Sequence, residues 1–136
     1  MRQHVNPLSS FFQLPRQLPP FEELFEEDHL PIHLDIGSAG GEFLLSLAHH
    51  QTNWNHIGLE IRERLVKSSE RKRKERGLSN LRFLFCNANV SLKEWFDQNP
   101  EITFEVVSIQ FPDPWFKKRH RKRRVLSPRL LLEISN

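Results

Sequence analysis

From Ile32 onward, short apolar runs alternate with stretches whose apolar residues recur at helical spacing. That alternation restricts the fold more than any other feature of the chain. IHLDIG reads as a buried strand running into a glycine turn, and GEFLLSLAHH as a helix with Phe43, Leu44, Leu47 and Ala48 on one face. WNHIGLEI is a second strand. RERLVKSSERKRKER is a second, very polar helix, stopped by Gly77. LRFLFC is a third strand, SLKEWFDQ a short helix with Ser91 as its N-cap, and FEVVSIQF a fourth strand. Ser127 and Pro128 read as N-cap and first residue of a last helix, RLLLEIS. Strands separated by helices pair in parallel, so the expectation is an α/β domain whose ligands gather at the C-terminal strand ends, near the switch in strand order.

Before Ile32 the pattern is different. Five of the nine prolines fall in residues 1–31, which rules out a long helix or strand there. The expectation is an irregular arm over 1–31, with one helical turn around Phe21 to Glu27, and a domain over 32–136. Phe11, Phe12, Phe21 and Phe25 imply that the arm packs against something.

At 136 residues the chain has room for one modest domain. Its net charge is only +3, but the charge is segregated. Acids cluster early, at Glu22, Glu23, Glu26, Glu27 and Asp28. Residues 62–76 hold eight Lys or Arg against three Glu, and residues 117–124 are seven Lys or Arg and one His. Such concentration favours a polyanionic partner, nucleic acid or an anionic membrane surface. The lone Cys86 cannot form an intrachain disulfide, which fits a reducing compartment. With no apolar run of membrane-spanning length and no signal peptide, a soluble cytoplasmic protein is expected. No metal site is expected, and the sequence leaves the oligomeric state open.

The chemistry-bearing positions follow the strands. DIGSAGGEF carries Gly37, Gly40 and Gly41, three of the five glycines. Here the backbone can turn sharply and a ligand can approach without a Cβ in the way. The pattern is G-x-x-G-G, not the dinucleotide G-x-G-x-x-G, and a plain strand-to-helix turn would also account for it. Asp35, just before the turn, is a poor neighbour for a pyrophosphate and a good one for the ammonium and sulfonium of S-adenosylmethionine. Glu60, ending strand two, is placed to accept both ribose hydroxyls of either that donor or NAD. The bland alternatives are a turn or capping role for Asp35 and an ion pair with a neighbouring Arg for Glu60. Asn87 and Ala88 follow strand three, at the edge that faces adenine in a doubly wound fold, although Asn there is also an ordinary turn residue. After strand four comes FPDPWFKKRHRKRR, whose basic half alone would pass for a solvated or localisation segment.

Taken together, DIGSAGGEFLL, HIGLEIRE, CNA and above all FPDPWFKKRHRKRR resemble the bacterial tRNA (guanine-N7-)-methyltransferases. The opening RQHVNPLSSFFQ is similar to that of cyanobacterial and plastid-type members. The resemblance covers essentially the whole chain. It implies a Rossmann-like methyltransferase fold dependent on S-adenosylmethionine, with about four strands of an incomplete parallel sheet present. It also implies methylation of the variable-loop guanine of tRNA, position 46. Asp35, Gly37, Glu60, Asn87 and Ala88 match donor-binding positions. Asp113 matches the catalytic or donor-site acid and Lys117 a substrate-binding lysine. Arg119, His120, Arg121, Lys122, Arg123 and Arg124 match the segment that meets RNA. Asp113 is suited to accept from guanine N1–H and the exocyclic amine, between two prolines that stiffen the loop. Trp115 or Phe116 is suited to stack on a base, and the basic run to grip phosphates.

Two departures stand out. Ala39 takes the place of the family's middle glycine, and alanine resists positive φ. The family's domain continues beyond the point where this chain stops, so a C-terminally truncated member is expected, with strand four left as an apolar sheet edge open to pairing. The alternative is a truncated, non-catalytic RNA-binding relative. An NAD-type half-domain is disfavoured by Asp35 and by the glycine spacing.

Overall fold

A computed structural model describes residues 18–109. Asp113, the basic run 117–124 and the helix expected after Pro128 lie outside the described residues. Four parallel strands, β1 (Ile32–Ile36), β2 (Asn55–Glu60), β3 (Leu81–Phe85) and β4 (Val106–Ile109), form a sheet in the order β3-β2-β1-β4. Three helices join them: α1 (Glu42–His50), α2 (Glu63–Glu75) and α3 (Ala88–Gln98). The strand order runs outward from β1 through β2 to β3, then returns to the other side of β1, so the switch point lies between β1 and β4. Among the described residues β4 pairs only with β1, and Val106 is 45% exposed, as expected for a strand at the edge.

Because strand side chains alternate, each strand serves both faces. Ile32, Leu34 and Ile36 of β1 join Ile57, Leu59 and Leu84 in one core, closed by Leu92 and Trp95 of α3. The arm completes that core. Phe21 and Phe25 are buried, and Phe21 packs on Trp95 and Phe104 with ring centroids 6.0 and 6.4 Å apart. Its helical turn is a short 3-10 segment, Phe21–Glu23, pinned where Trp95 Nε1 donates to the Pro19 carbonyl at 3.0 Å. On the opposite face Leu44, Leu45 and Ala48 of α1, Val66 of α2 and Leu78 of the loop after it cover Leu81 and Phe83.

Two local expectations need correction. In α1, Leu45 is buried and Phe43 is 47% exposed, so the inward stripe is Leu44, Leu45 and Ala48. The helix meets the sheet along a narrower arc than its apolar content suggests, and Phe43 lies outside it, edge-on to His33. In α3, the first helical residue is Ala88, so Ser91 is inside the helix and not its cap. The Asn87 carbonyl already accepts the Val90 and Ser91 N–H groups. The stop at Gly77 holds: the chain leaves α2 there with φ +67.

Elsewhere, Asn80 closes the end of α1. Its side-chain amide donates to the carbonyls of Ala48, Gln51 and Trp54 at 3.0–3.1 Å, and of these Ala48 lies in the last turn of α1, whose carbonyls a helix leaves without partners. Among the described residues no helix is long and apolar enough to cross a membrane.

Candidate active site at the strand ends

The glycine turn between β1 and α1 is tied to the end of β2. Gly37 and Ser38 N–H both donate to the Leu59 carbonyl, at 2.8 and 3.0 Å. Three residues of the turn take left-handed backbone: Gly37 at φ 80, Ala39 at φ 52 and Gly41 at φ 81. Gly41 has no room for a side chain, since an added Cβ would lie 2.7 Å from Ser69 Oγ and 2.8 Å from Phe83 Cζ. Gly40 has open space, with nothing within 4 Å of such an atom. The turn is therefore packed on its inner side and open at Gly40.

Glu60 ends β2 and is 3% exposed. Its Oε1 accepts the Ala39 N–H at 2.8 Å. Its Oε2 accepts the Arg62 backbone N–H at 3.0 Å and Arg62 Nε at 2.8 Å. The acid thus holds the glycine turn on one side and Arg62 on the other. The ion pair weighed as an alternative from the sequence is present, on the same carboxylate that faces the turn.

Asp35 lies one residue before the end of β1 and is 1% exposed. Its register partner on β2 is Gly58, which places Glu60 two residues further along the same face. On β4 its partner is Ser108, whose hydroxyl donates to Asp35 Oδ1 at 2.6 Å. Ser108 Oγ also lies 2.7 Å from His33 Nε2, and His33 Nδ1 is hydrogen-bonded to His56 Nδ1 at 2.9 Å. Burial lowers the pKa of both rings. That of His56 falls to about 4, through burial and then the neighbouring His33, so both are neutral at pH 7.

Asn87 and Ala88 follow β3 and are buried, and the adjacent Cys86 N–H donates to the Glu60 carbonyl at 3.1 Å. Burial, with Glu60 nearby, pushes the Cys86 thiol up to about 12, so it is no nucleophile. The structure thus gathers Asp35, Gly37, Glu60, Asn87 and Ala88 at the C-terminal ends of three adjacent strands. Two buried acids beside a glycine turn gather acceptors suited to a ligand with a cationic end and a diol. Among the described residues no group of three His, Cys, Asp or Glu is placed to hold a metal ion.

The family model described as "Putative methyltransferase" matches residues 29–136. The chain belongs to this methyltransferase family. It is 64% identical over 135 residues to the tRNA (guanine-N(7)-)-methyltransferase of Prochlorococcus marinus (strain MIT 9313), covering 99% of this chain and 57% of that protein. To the protein of the same name from Synechococcus sp. (strain CC9311) it is 61% identical, with the same coverage. The chain therefore spans well under two thirds of the length of these curated relatives. Among solved structures, the human methyltransferase 10 domain containing protein aligns with 68% of this chain and 44% of its own, with TM-score 0.53 and 16% identity. That likeness agrees with the Rossmann-like methyltransferase fold of the sheet.

Reasoning from sequence missed His33, His56 and Ser108, and it weighed Arg62 only as a neighbouring ion-pair partner for Glu60. A signal for the first three was present. His33 and Asp35 stand two apart within an apolar strand, as do His56 and Gly58, and Ser108 interrupts VVSI. Polar residues at alternate positions of a buried strand must find one another across the sheet.

Proposed function

We propose that this chain carries the donor-binding half of an enzyme that transfers a methyl group from S-adenosylmethionine to N7 of guanine in tRNA, at variable-loop position 46, in the cytoplasm. One observation carries the donor site: two buried carboxylates, Asp35 and Glu60, lie on one sheet face beside a glycine turn that is open at Gly40. The identity to tRNA (guanine-N(7)-)-methyltransferases supports the substrate.

Asp35 faces the donor's ammonium. Glu60 accepts the ribose hydroxyls, which compete with Arg62 for Oε2. Asn87 and Ala88 border adenine. The bound donor supplies an electrophilic methyl carbon, which guanine N7 can attack with a lone pair it already carries. No strong base is then needed, and positioning provides most of the rate. Asp113 accepts from guanine N1–H and the exocyclic amine, which fixes the base and stabilises the positive charge that N7 methylation leaves on it. Lys117 and the run Arg119, His120, Arg121, Lys122, Arg123 and Arg124 hold the RNA through its phosphates.

The test is methyl transfer to tRNA from donor labelled in its methyl group, with the product guanine mapped. Asp113→Ala is expected to abolish transfer and keep tRNA binding. Unchanged transfer by that variant would remove Asp113 from its role. Saturable tRNA binding without any donor binding by the parent chain would instead identify a non-catalytic RNA binder.

A further inference from the structure

We propose that His56, His33 and Ser108 form a one-way hydrogen-bond relay that holds Asp35 as an oriented anion for the cationic end of the donor, a proposal that rests on the donor-site reading above. These three are positioning residues, since none is required to touch the donor. They come from three strands and are joined across the sheet by consecutive contacts of 2.9, 2.7 and 2.6 Å.

The polarity of the relay follows from counting protons. An Asp35 carboxylate can only accept, so Ser108 spends its single proton on Oδ1. Ser108 Oγ must then accept from His33, which places the His33 proton on Nε2. In a neutral ring His33 Nδ1 carries a lone pair, so His56 must donate from Nδ1. That leaves His56 Nε2 as a lone pair, and it is buried with no hydrogen-bond partner among the described residues.

Running the relay the other way would need a protonated Asp35 and would end on a buried His56 Nε2–H with no acceptor. Orphaned buried N–H groups are rarer than under-used acceptors, so the observed terminus selects the direction toward Asp35. Neutral rings, favoured by burial, are consistent with it. Each donation polarises the next, and a donor on the charged form favours that form. The edge of the Phe43–His33 contact and the Trp54 ring stacked on His56 line the rings with apolar surface. Ser108 belongs to β4, the strand that leads directly into FPDPW. The relay therefore ties the strand bearing the proposed guanine-binding motif to the acid of the donor site.

The experiment is calorimetric titration of the full chain with two ligands. S-adenosylhomocysteine keeps the ammonium, whereas 5′-methylthioadenosine lacks the whole amino-acid end. Ser108→Ala is expected to weaken S-adenosylhomocysteine about tenfold, as for loss of a hydrogen bond to a charged group, and to leave 5′-methylthioadenosine within about twofold. Ser108→Thr and His33→Gln, which keeps an N–H near the Nε2 position, should restore most of the affinity. His33→Leu should match Ser108→Ala.

Equal losses for both ligands would reduce the network to a structural role and overturn the proposal, as would unchanged affinity in Ser108→Ala. If the parent chain binds neither ligand, the donor-site reading fails, and the relay's function fails with it. Nitrogen-15 spectra of the parent chain's imidazoles provide a readout independent of any variant's folding. Protons on His33 Nε2 and His56 Nδ1 are expected, and the opposite tautomers would overturn the relay.

Discussion

Ala39→Gly should stabilise the chain, a useful expectation because glycine usually weakens a fold. Ala39 sits at φ 52, inside a turn whose neighbours Gly37 and Gly41 share left-handed geometry. An L-residue there costs roughly 1–2 kcal/mol relative to glycine. Glycine's greater freedom in the unfolded chain returns about 0.5–1 kcal/mol of that. The Ala39 N–H that donates to Glu60 Oε1 at 2.8 Å belongs to the backbone, so the variant keeps that hydrogen bond. The net expectation is a gain of about 0.5–1 kcal/mol. In urea unfolding followed by circular dichroism, the midpoint should rise with the slope unchanged. Two neighbours serve as controls. Gly40→Ala has open space and no positive φ, so it should be neutral or slightly stabilising. Gly41→Ala would drive a Cβ to 2.8 Å from Phe83 Cζ at φ 81, and should lose more than about 2 kcal/mol. An unchanged or lowered midpoint for Ala39→Gly, with Gly41→Ala tolerated, would refute the geometry assigned to the turn.

Three further outcomes are expected. His56 has a folded-state pKa of about 4 against 6.5, so its contribution is complete above pH 6.5 and is lost as pH falls toward 4. His56→Phe should flatten stability over that window, where the parent loses about 3 kcal/mol, measured by urea midpoints at stepped pH. Glu70 is raised by burial, but Arg73, the Phe83 N–H and the charge of Arg82 outweigh this and leave it below 4.5. Its stabilisation is therefore present above pH 4.5 and is lost on further acidification. Glu70→Gln should cost about 1–3 kcal/mol at pH 7 and shrink the acid-induced loss below pH 4.5. Replacing Arg123 and Arg124 with Ala should reduce the salt slope of tRNA binding by about 0.7–0.9 for each phosphate no longer neutralised, read from filter binding at several salt concentrations. An unchanged slope would take those residues out of the interface.

The fold was legible because its signals are local. Each strand is a short apolar run and each helix but the third begins where the pattern changes, so alternation alone implied the parallel sheet. The third helix was misjudged because Ser91 is a good cap by chemistry, while the backbone carbonyl of Asn87 already receives the Ser91 N–H. That Asp35 and Glu60 would meet beside the glycine turn was legible for a similar reason, since both stand near strand ends. Their partners were legible only in part, as a neighbouring arginine for Glu60. That Arg62 shares Glu60 with Ala39, and that Ser108 reaches Asp35 from 73 residues away, depend on strand order and register. No periodicity encodes either.

The two faces of the sheet explain why the polar network can exist within so small a core. Ile32, Leu34, Ile36, Ile57 and Leu59 all turn toward α3 and the arm, and that face carries the apolar burial of β1 and β2. The intervening positions, His33, Asp35, His56, Gly58 and Glu60, are thereby released from packing a hydrophobic core. Gly58 adds to this freedom: a Cβ there would lie 2.8 Å from Leu44, Phe83 and Ser38 atoms, so its absence lets α1 and the glycine turn settle onto the strands. Buried ionisable groups are costly unless bonded, and here Asp35 and Glu60 gain their partners from the adjacent strand, the turn and Arg62. A substitution that moved β4 by one residue would turn Ser108 to the opposite face and leave Val107 or Ile109 beside Asp35. The register of β4 is thus set twice, by apolar packing on one face and by the Ser108 bond on the other. The strand that leads into FPDPW is held against Asp35 by both.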